Sequence, residues 1–101
     1  MVIELSGQQQ LITVRLSGEI DHFSVTAIKN AVEDSLMSTG AINVAFDFSD
    51  VTFMDSSGIG LILGRFKTVS ALGGKIILFG MNRETNTLMK MSGIDKIAQI
   101  Y

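Results

Sequence analysis

Cysteine is absent from the chain, which excludes disulfides, thiolate catalysis and cysteine-based zinc sites. A reducing compartment suits such a chain. With His22 as its single histidine, it has little material for a zinc site of any other kind. Positive charge is also scarce: eight Lys and Arg stand against ten Asp and Glu, for a net charge of −2 and a pI near 5.1. Nucleic-acid binding relies on a basic footprint that displaces counterions, and this chain lacks one. The opening stretch from Met1 to Gly7 has no basic segment followed by an apolar run, so it does not read as a secretion signal. Apolar tracts such as Ile59 to Gly64 fall well short of the ~20 residues of a membrane-spanning helix. No membrane insertion is expected, and cytoplasmic residence follows by default.

What is present has the balance of a packed globular protein: 47% hydrophobic and 18% charged residues in 101 positions. A chain of that size forms one domain and buries roughly two-thirds of its unfolded surface. Residues 1–101 are therefore expected to form a single domain. Val2 to Leu5 and Leu11 to Leu16 are short and β-rich, with Gly7 and a glutamine run between them, and they predict an opening hairpin. Asp21 to Ser24 offers helix-capping side chains. Val25, Ile28, Val32 and Leu36 then recur at helical spacing as far as Thr39-Gly40. Ile42 to Phe48 has apolar residues on both parities, which predicts a central strand covered on both faces.

Beyond Asp50 to Asp55, the pair Ser56-Ser57 opens a second helical pattern whose apolar face reads Ile59, Ile62, Leu63, Phe66 and Val69, and Gly73-Gly74 stops it. Lys75 to Phe79 reads as a strand, Asn82 to Ser92 as a third helix ended by Gly93, and Ile97 to Ile100 as a last strand. The predicted order is β-β-α-β-α-β-α-β. This is an α/β fold in which helices cover parallel strands joined by right-handed crossovers.

In open α/β sheets, ligands and partners engage the loops at the carboxyl ends of strands. Asp55-Ser56-Ser57-Gly58-Ile59-Gly60 lies at such a place, ahead of a helix N-terminus whose unpaired N–H groups and positive dipole end favour a carboxylate, a phosphate or a phosphorylated hydroxyl. Gly58 and Gly60 are expected to keep the first turn clear for a large partner, and alanine at Gly58 is expected to cost little stability. The residues alone also allow a plainer reading, in which Asp55 or Ser56 merely caps the helix. Both readings stay open at this level.

The run from Phe53 to Lys67, FMDSSGIGLILGRFK, resembles the signature of the STAS domain, in particular that of bacterial anti-sigma factor antagonists of the sporulation type. Leu16 to Asp21, Gly73-Gly74 and Met91 to Ile94 match the same family in the right order, so the resemblance covers nearly the whole chain. It implies a STAS-type mixed sheet with covering helices. It also implies a partner-switching cycle: the unphosphorylated protein binds an anti-sigma factor that is also a serine kinase, and so frees a sigma factor. The kinase then inactivates it by phosphorylating the serine directly after the aspartate, and a phosphatase acting on phosphoserine reverses this. By position that serine is Ser56, with Ser57 as the fallback. Asp21 corresponds to a family residue near the serine, so the implied contact set is Asp21, Asp55, Ser56, Ser57, Gly58 and Gly60. The chain departs from the family at Arg83, where proline is frequent, and at Tyr101, after which many members continue into a further helix.

Other constellations carry less. Asp21-His22 beside a serine could suggest a hydrolase, but the strand-turn-helix lacks Gly-x-Ser-x-Gly. Asp47, Asp50 and Asp55 match no metal loop and read as solvated strand ends. Met81, Met89 and Met91 could form an adaptable surface, with Met89 at least expected in the core. No catalytic residue, cofactor or metal is expected. Two other roles fit a STAS-type chain less well: an accessory subunit of a membrane transport complex, disfavoured by the full Asp-Ser-Ser-Gly-Ile-Gly run and the Gly-Arg-Phe-Lys continuation, and a small-molecule sensor, for which the chain lacks a phosphate-cradling Gly-x-x-x-x-Gly-Lys loop.

Overall fold

A parallel ladder between the second and third strands forms the spine of the structure, a computed structural model that describes residues 2–8 and 10–101. β1 (Val2–Gln8) and β2 (Leu11–Ile20) make the expected antiparallel hairpin. α1 (Val25–Thr39) leads to β3 (Asn43–Met54), α2 (Ser57–Ala71) to β4 (Ile76–Phe79), and α3 (Arg83–Met91) through a short 3-10 turn (Ile94–Lys96) to β5 (Gln99–Ile100). The sheet order is β1-β2-β3-β4-β5, with every pairing after the hairpin parallel. β3 is thus the central strand, as its composition predicts.

One apolar layer holds these elements together. Ile12, Val14 and Leu16 of β2, Val44, Phe46 and Phe48 of β3, and Ile76 and Leu78 of β4 all point to the same side, following the two-residue period of a strand. Ile28, Val32 and Leu36 of α1 and Leu61, Ile62 and Val69 of α2 close over them, and Met89 and Ile94 complete the cluster. The opposite side of the sheet is largely polar. There Arg15 reaches Asp50 at 2.6 Å and Glu4 at 3.9 Å, tying three neighbouring strands by exposed charges. The hydrogen bond that Arg15 donates to Asp50, its largest electrostatic influence, strengthens Arg15's hold on its proton. β3 is therefore covered mainly on one side, with Ala45 alone fully buried on the other, rather than on both as expected.

Several boundaries differ from expectation for physical reasons. β2 extends to Ile20 and β3 to Met54, where Ser17-Gly18-Glu19 and Ser49-Asp50 carry no apolar alternation. The pairing there continues through register shifts: Arg15 faces Asp47 and Ser17 faces Asp50, then Gly18 faces Val51 and Glu19 faces Phe53. Asp47 and Asp50 hence lie inside β3 and not at its end. Asp47 accepts hydrogen bonds from the Ser49 N–H and hydroxyl at 2.9 and 2.6 Å. At the end of α2, Gly73 takes a positive φ of 80°, and the next residue, Gly74, has no room for a Cβ because the Ile42 carbonyl lies against it.

The inward stripe of α2 is Gly58, Leu61, Ile62, Arg65 and Val69; Leu63 is exposed, and Ile59 and Phe66 are partly buried at the margins. Arg65 is buried to 6% exposure and donates to Glu33 of α1 at 2.8 Å, while its Nε has no partner among the described residues. This ion pair fastens α1 to α2. Removing one partner of a buried pair leaves a stranded charge, whereas replacing both by apolar groups is far cheaper. Because Glu33 is partly exposed, Glu33→Ala is expected to cost about 2 kcal/mol, below the roughly 3–5 kcal/mol of fully buried pairs. Glu33→Leu combined with Arg65→Met should recover most of that loss in thermal denaturation. A double variant less stable than Glu33→Ala would show that the pair itself stabilises the seam.

Candidate functional site

β2 and β3 end side by side, with Ile20 paired to Met54 and the Asp55 N–H donating to the Ile20 carbonyl at 3.1 Å. Each strand then turns directly into a helix through an aspartate. After β2, Asp21 Oδ1 accepts from the backbone N–H groups of Phe23 and Ser24, both at 3.0 Å, and Ser24 Oγ accepts from the Asp21 N–H at 2.9 Å. After β3, Asp55 Oδ1 accepts from the Ser57 N–H at 2.8 Å. Parallel pairing thus brings together two similarly built turns that are 34 residues apart in sequence (55 − 21).

The two serines of the second turn differ. Asp55 does the capping, and the Ser56 side chain makes no hydrogen bond to the described residues; it is exposed at the head of α2. Ser57 is half-buried. It lines a groove of about 380 Å³ between α1 and α2, with Val25, Thr26 and Lys29 on one wall and Gly60, Leu61, Gly64 and Arg65 on the other. The helix terminus is less open to an anion than its position implies, because the Ser57 N–H goes to the Asp55 carboxylate and the Gly58 N–H to the Asp55 carbonyl at 3.1 Å. The dipole field remains.

The two glycines also differ. A Cβ on Gly60 would meet open space, so this position leaves the groove clear as expected. Gly58 instead faces inward and is buried: a Cβ there would lie 2.5 Å from Met54 Cγ, on the last residue of β3. Its missing side chain serves packing of helix against strand, which corrects the expectation that it opens the turn to a partner. Of the remaining residues singled out in the sequence, His22 is exposed with its ring edge-on to Phe23, at a centroid distance of 5.5 Å. Met89 is fully buried, Met81 partly so, and Met91 is exposed. Asn82 caps α3 by accepting from the Thr85 N–H at 2.8 Å, so Arg83 occupies the first helical position where the family frequently has proline. Sequence reasoning missed Phe23, 89% exposed on the first turn, and Phe53, 52% exposed beside Met54. An aromatic two residues from a capping aspartate was the available signal.

These geometries make a sharp contrast between the glycines testable. Gly58→Ala gains the same helix propensity as any glycine in α2 but must displace the buried Met54 side chain, and with overpacking at about 2 kcal/mol it is expected to cost about 1 kcal/mol net. Gly60→Ala enters open space and should leave stability unchanged or raise it by up to about 1 kcal/mol through helix propensity. Chemical denaturation of both variants decides this, and equal stabilities would remove the packing role assigned to Gly58.

Comparison with known proteins places this geometry. The anti-sigma F factor antagonist of Paenibacillus polymyxa is 33% identical over 99 residues, spanning 98% of this chain and 85% of the relative. The anti-sigma-B factor antagonist of Bacillus subtilis is 29% identical over 98 residues, covering 97% of this chain and 88% of its own. Among solved structures, the unphosphorylated form of the anti-sigma factor antagonist SpoIIAA superposes with a TM-score of 0.87 at 27% identity, covering 99% of this chain and 88% of that one. The phosphorylated form of Bacillus SpoIIAA superposes at 0.79, again at 27% identity, covering 99% and 91%. No helix among the described residues is long and apolar enough to cross a membrane. Residues 2–101 match the STAS domain family, and the chain belongs to it.

Proposed function

We propose that this chain is a single STAS domain, residues 1–101, acting as a non-enzymatic cytoplasmic anti-sigma factor antagonist. In its unphosphorylated form it binds an anti-sigma factor with serine kinase activity and so releases a sigma factor. Phosphorylation of Ser56 ends that interaction, and a phosphatase restores it. The observation that carries this reading is the free, exposed Ser56 hydroxyl at the head of α2, with its capping duty taken over by Asp55. A hydroxyl with no role in the fold can be modified and restored without rebuilding the domain. Ser57, half-buried in the groove, is less accessible to a kinase. Relatives named as anti-sigma factor antagonists, and a neighbour solved in both phosphorylation states, support the same reading.

Asp21, Asp55, Ser56, Ser57 and Gly60 form the contact surface, with Gly58 setting the seat of α2 beneath it. Phosphoserine adds about −1.5 to −2 charges. Within the domain, the dipole of α2 contributes up to about 1 kcal/mol of stabilisation and offsets repulsion from Asp55, so the fold persists. In the complex, the hydroxyl must approach the γ-phosphate of the kinase's nucleotide, and the product phosphate then lies against nucleotide phosphates. A unit charge pair at 4 Å is worth about 4 kcal/mol at an effective dielectric of 20. Losing that much converts a nanomolar complex to a micromolar one.

Incubation with the cognate kinase and ATP is expected to place one phosphate on Ser56, read by mass spectrometry; phosphate on Ser57, or none on this turn, refutes the assignment. Ser56→Ala should bind the anti-sigma factor whether or not ATP is present. Ser56→Asp should bind about 100-fold or more weakly by calorimetry while melting like the wild type. An aspartate variant with unchanged affinity would remove electrostatics from the mechanism.

A further inference from the structure

We infer that Phe23 is an aromatic anchor for the protein partner that acts on Ser56, inserting into an apolar socket of that partner edged with basic side chains. This rests on the reading of Ser56 given above and adds a second contact of a different chemical kind. Phe23 is 89% exposed, and single apolar residues on a surface are ordinary. Three features set this one apart.

The first is its rigidity. Its own N–H is held by Asp21 Oδ1, the next N–H by the same oxygen, and the Ser24 hydroxyl donates to the carbonyls of Asp21 and Glu19 at 3.2 and 3.5 Å. The His22 ring lies edge-on to the Phe23 ring. A phenyl ring on such a turn has little backbone freedom to lose on binding, which is the condition under which apolar contact area becomes affinity. Met37 and Met91 are nearly as exposed, at 86% and 82%, but lie near helix ends on longer, more flexible side chains.

The second is its place. Glu19 pairs with Phe53 and Ile20 with Met54, and the Asp55 N–H bonds to the Ile20 carbonyl. Phe23 and Ser56 therefore leave the sheet from adjacent strands about 4.8 Å apart. Phe23 lies three residues beyond Ile20 and Ser56 two beyond Met54, so a partner that closes on the Ser56 hydroxyl has this ring on the neighbouring turn.

The third is charge. Within the two turns, from Leu16 to Ile28 and from Ser49 to Gly64, the ionised side chains are the carboxylates Glu19, Asp21, Asp50 and Asp55, while the next cations, Lys29 and Arg65, line the groove beside Ser57 and Arg65 is engaged by Glu33. Asp50 is engaged by Arg15 on the polar side of the sheet, which leaves the other carboxylates around the two turns. An aromatic residue whose own N–H is held by the Asp21 carboxylate, with Glu19 at the end of the preceding strand, is complementary to an apolar socket bordered by lysine or arginine. Buried aromatic anchors ringed by polar contacts dominate the energetics of many interfaces.

The test uses the unphosphorylated full chain and the cognate serine kinase with bound ADP, with affinity and rates measured by surface plasmon resonance. Phe23→Ala is expected to raise Kd by about 30-fold or more, mainly through faster dissociation, with melting unchanged because the ring packs on nothing in its own core. Phe23→Leu should restore most of the affinity, and raising salt should slow association of all three proteins. If the wild type binds and Phe23→Ala binds within threefold of it, this inference fails while the Ser56 reading stands. If the wild type neither binds the kinase nor is phosphorylated at Ser56, both fail together.

Discussion

Parallel pairing of β2 with β3 carries the rest of the arrangement. A parallel ladder forces both chains to leave the sheet at the same edge, and each must cross back before the next strand can pair, so two helix starts arise together. The ladder persists through two register shifts to Ile20 and Met54. Without that final stretch Asp21 and Asp55 would stand on unrelated loops. Energetically the ladder draws on the apolar layer beneath it, where Val14, Leu16, Phe46 and Phe48 are sealed by α1 and α2.

The two turns solve one problem with one residue type. A chain leaving a strand for a helix exposes N–H groups, and an aspartate two residues upstream can accept from them. In the first turn the device involves Ser24 reciprocally and leaves no idle hydroxyl. In the second it satisfies Ser57 and leaves Ser56 idle. Nearly identical local chemistry thus ties up the serine hydroxyl in one turn and leaves the Ser56 hydroxyl without a hydrogen bond among the described residues in the other.

The helices were legible because their apolar residues recur at three and four positions, as Ile28, Val32 and Leu36 do, and Gly40 and Gly73 end them in left-handed conformations. The apolar pattern of α2 points slightly away from the face that the helix buries, Gly58, Leu61, Ile62, Arg65 and Val69. Periodicity weights apolar residues, and it has no means of recognising that Arg65 turns inward to meet a glutamate on another helix. The strand ends through Ser17-Gly18-Glu19 and Ser49-Asp50 were illegible because register shifts break the two-residue alternation. The short turn at Ile94–Lys96 offers too few residues for any period. At the site, the motif marked the segment and the order of residues, but the division of labour between Ser56 and Ser57, and the inward facing of Gly58, depend on contacts with Asp55 and Met54 that only the folded chain reveals.

The idle hydroxyl of Ser56 also bears on how such a protein holds information over time. On the proposed assignment of the phosphate to Ser56, an oxygen that no hydrogen bond among the described residues uses, the modified and unmodified molecules need no barrier between two shapes to stay distinct, and no conformational relaxation erases the difference. The mark lasts as long as a phosphoester resists attack in water, which is very long compared with any domain motion. The lifetime of each state is then set outside this chain, by whichever enzymes write and remove the ester. On that proposed assignment the domain acts as a durable tally whose clock is kept elsewhere.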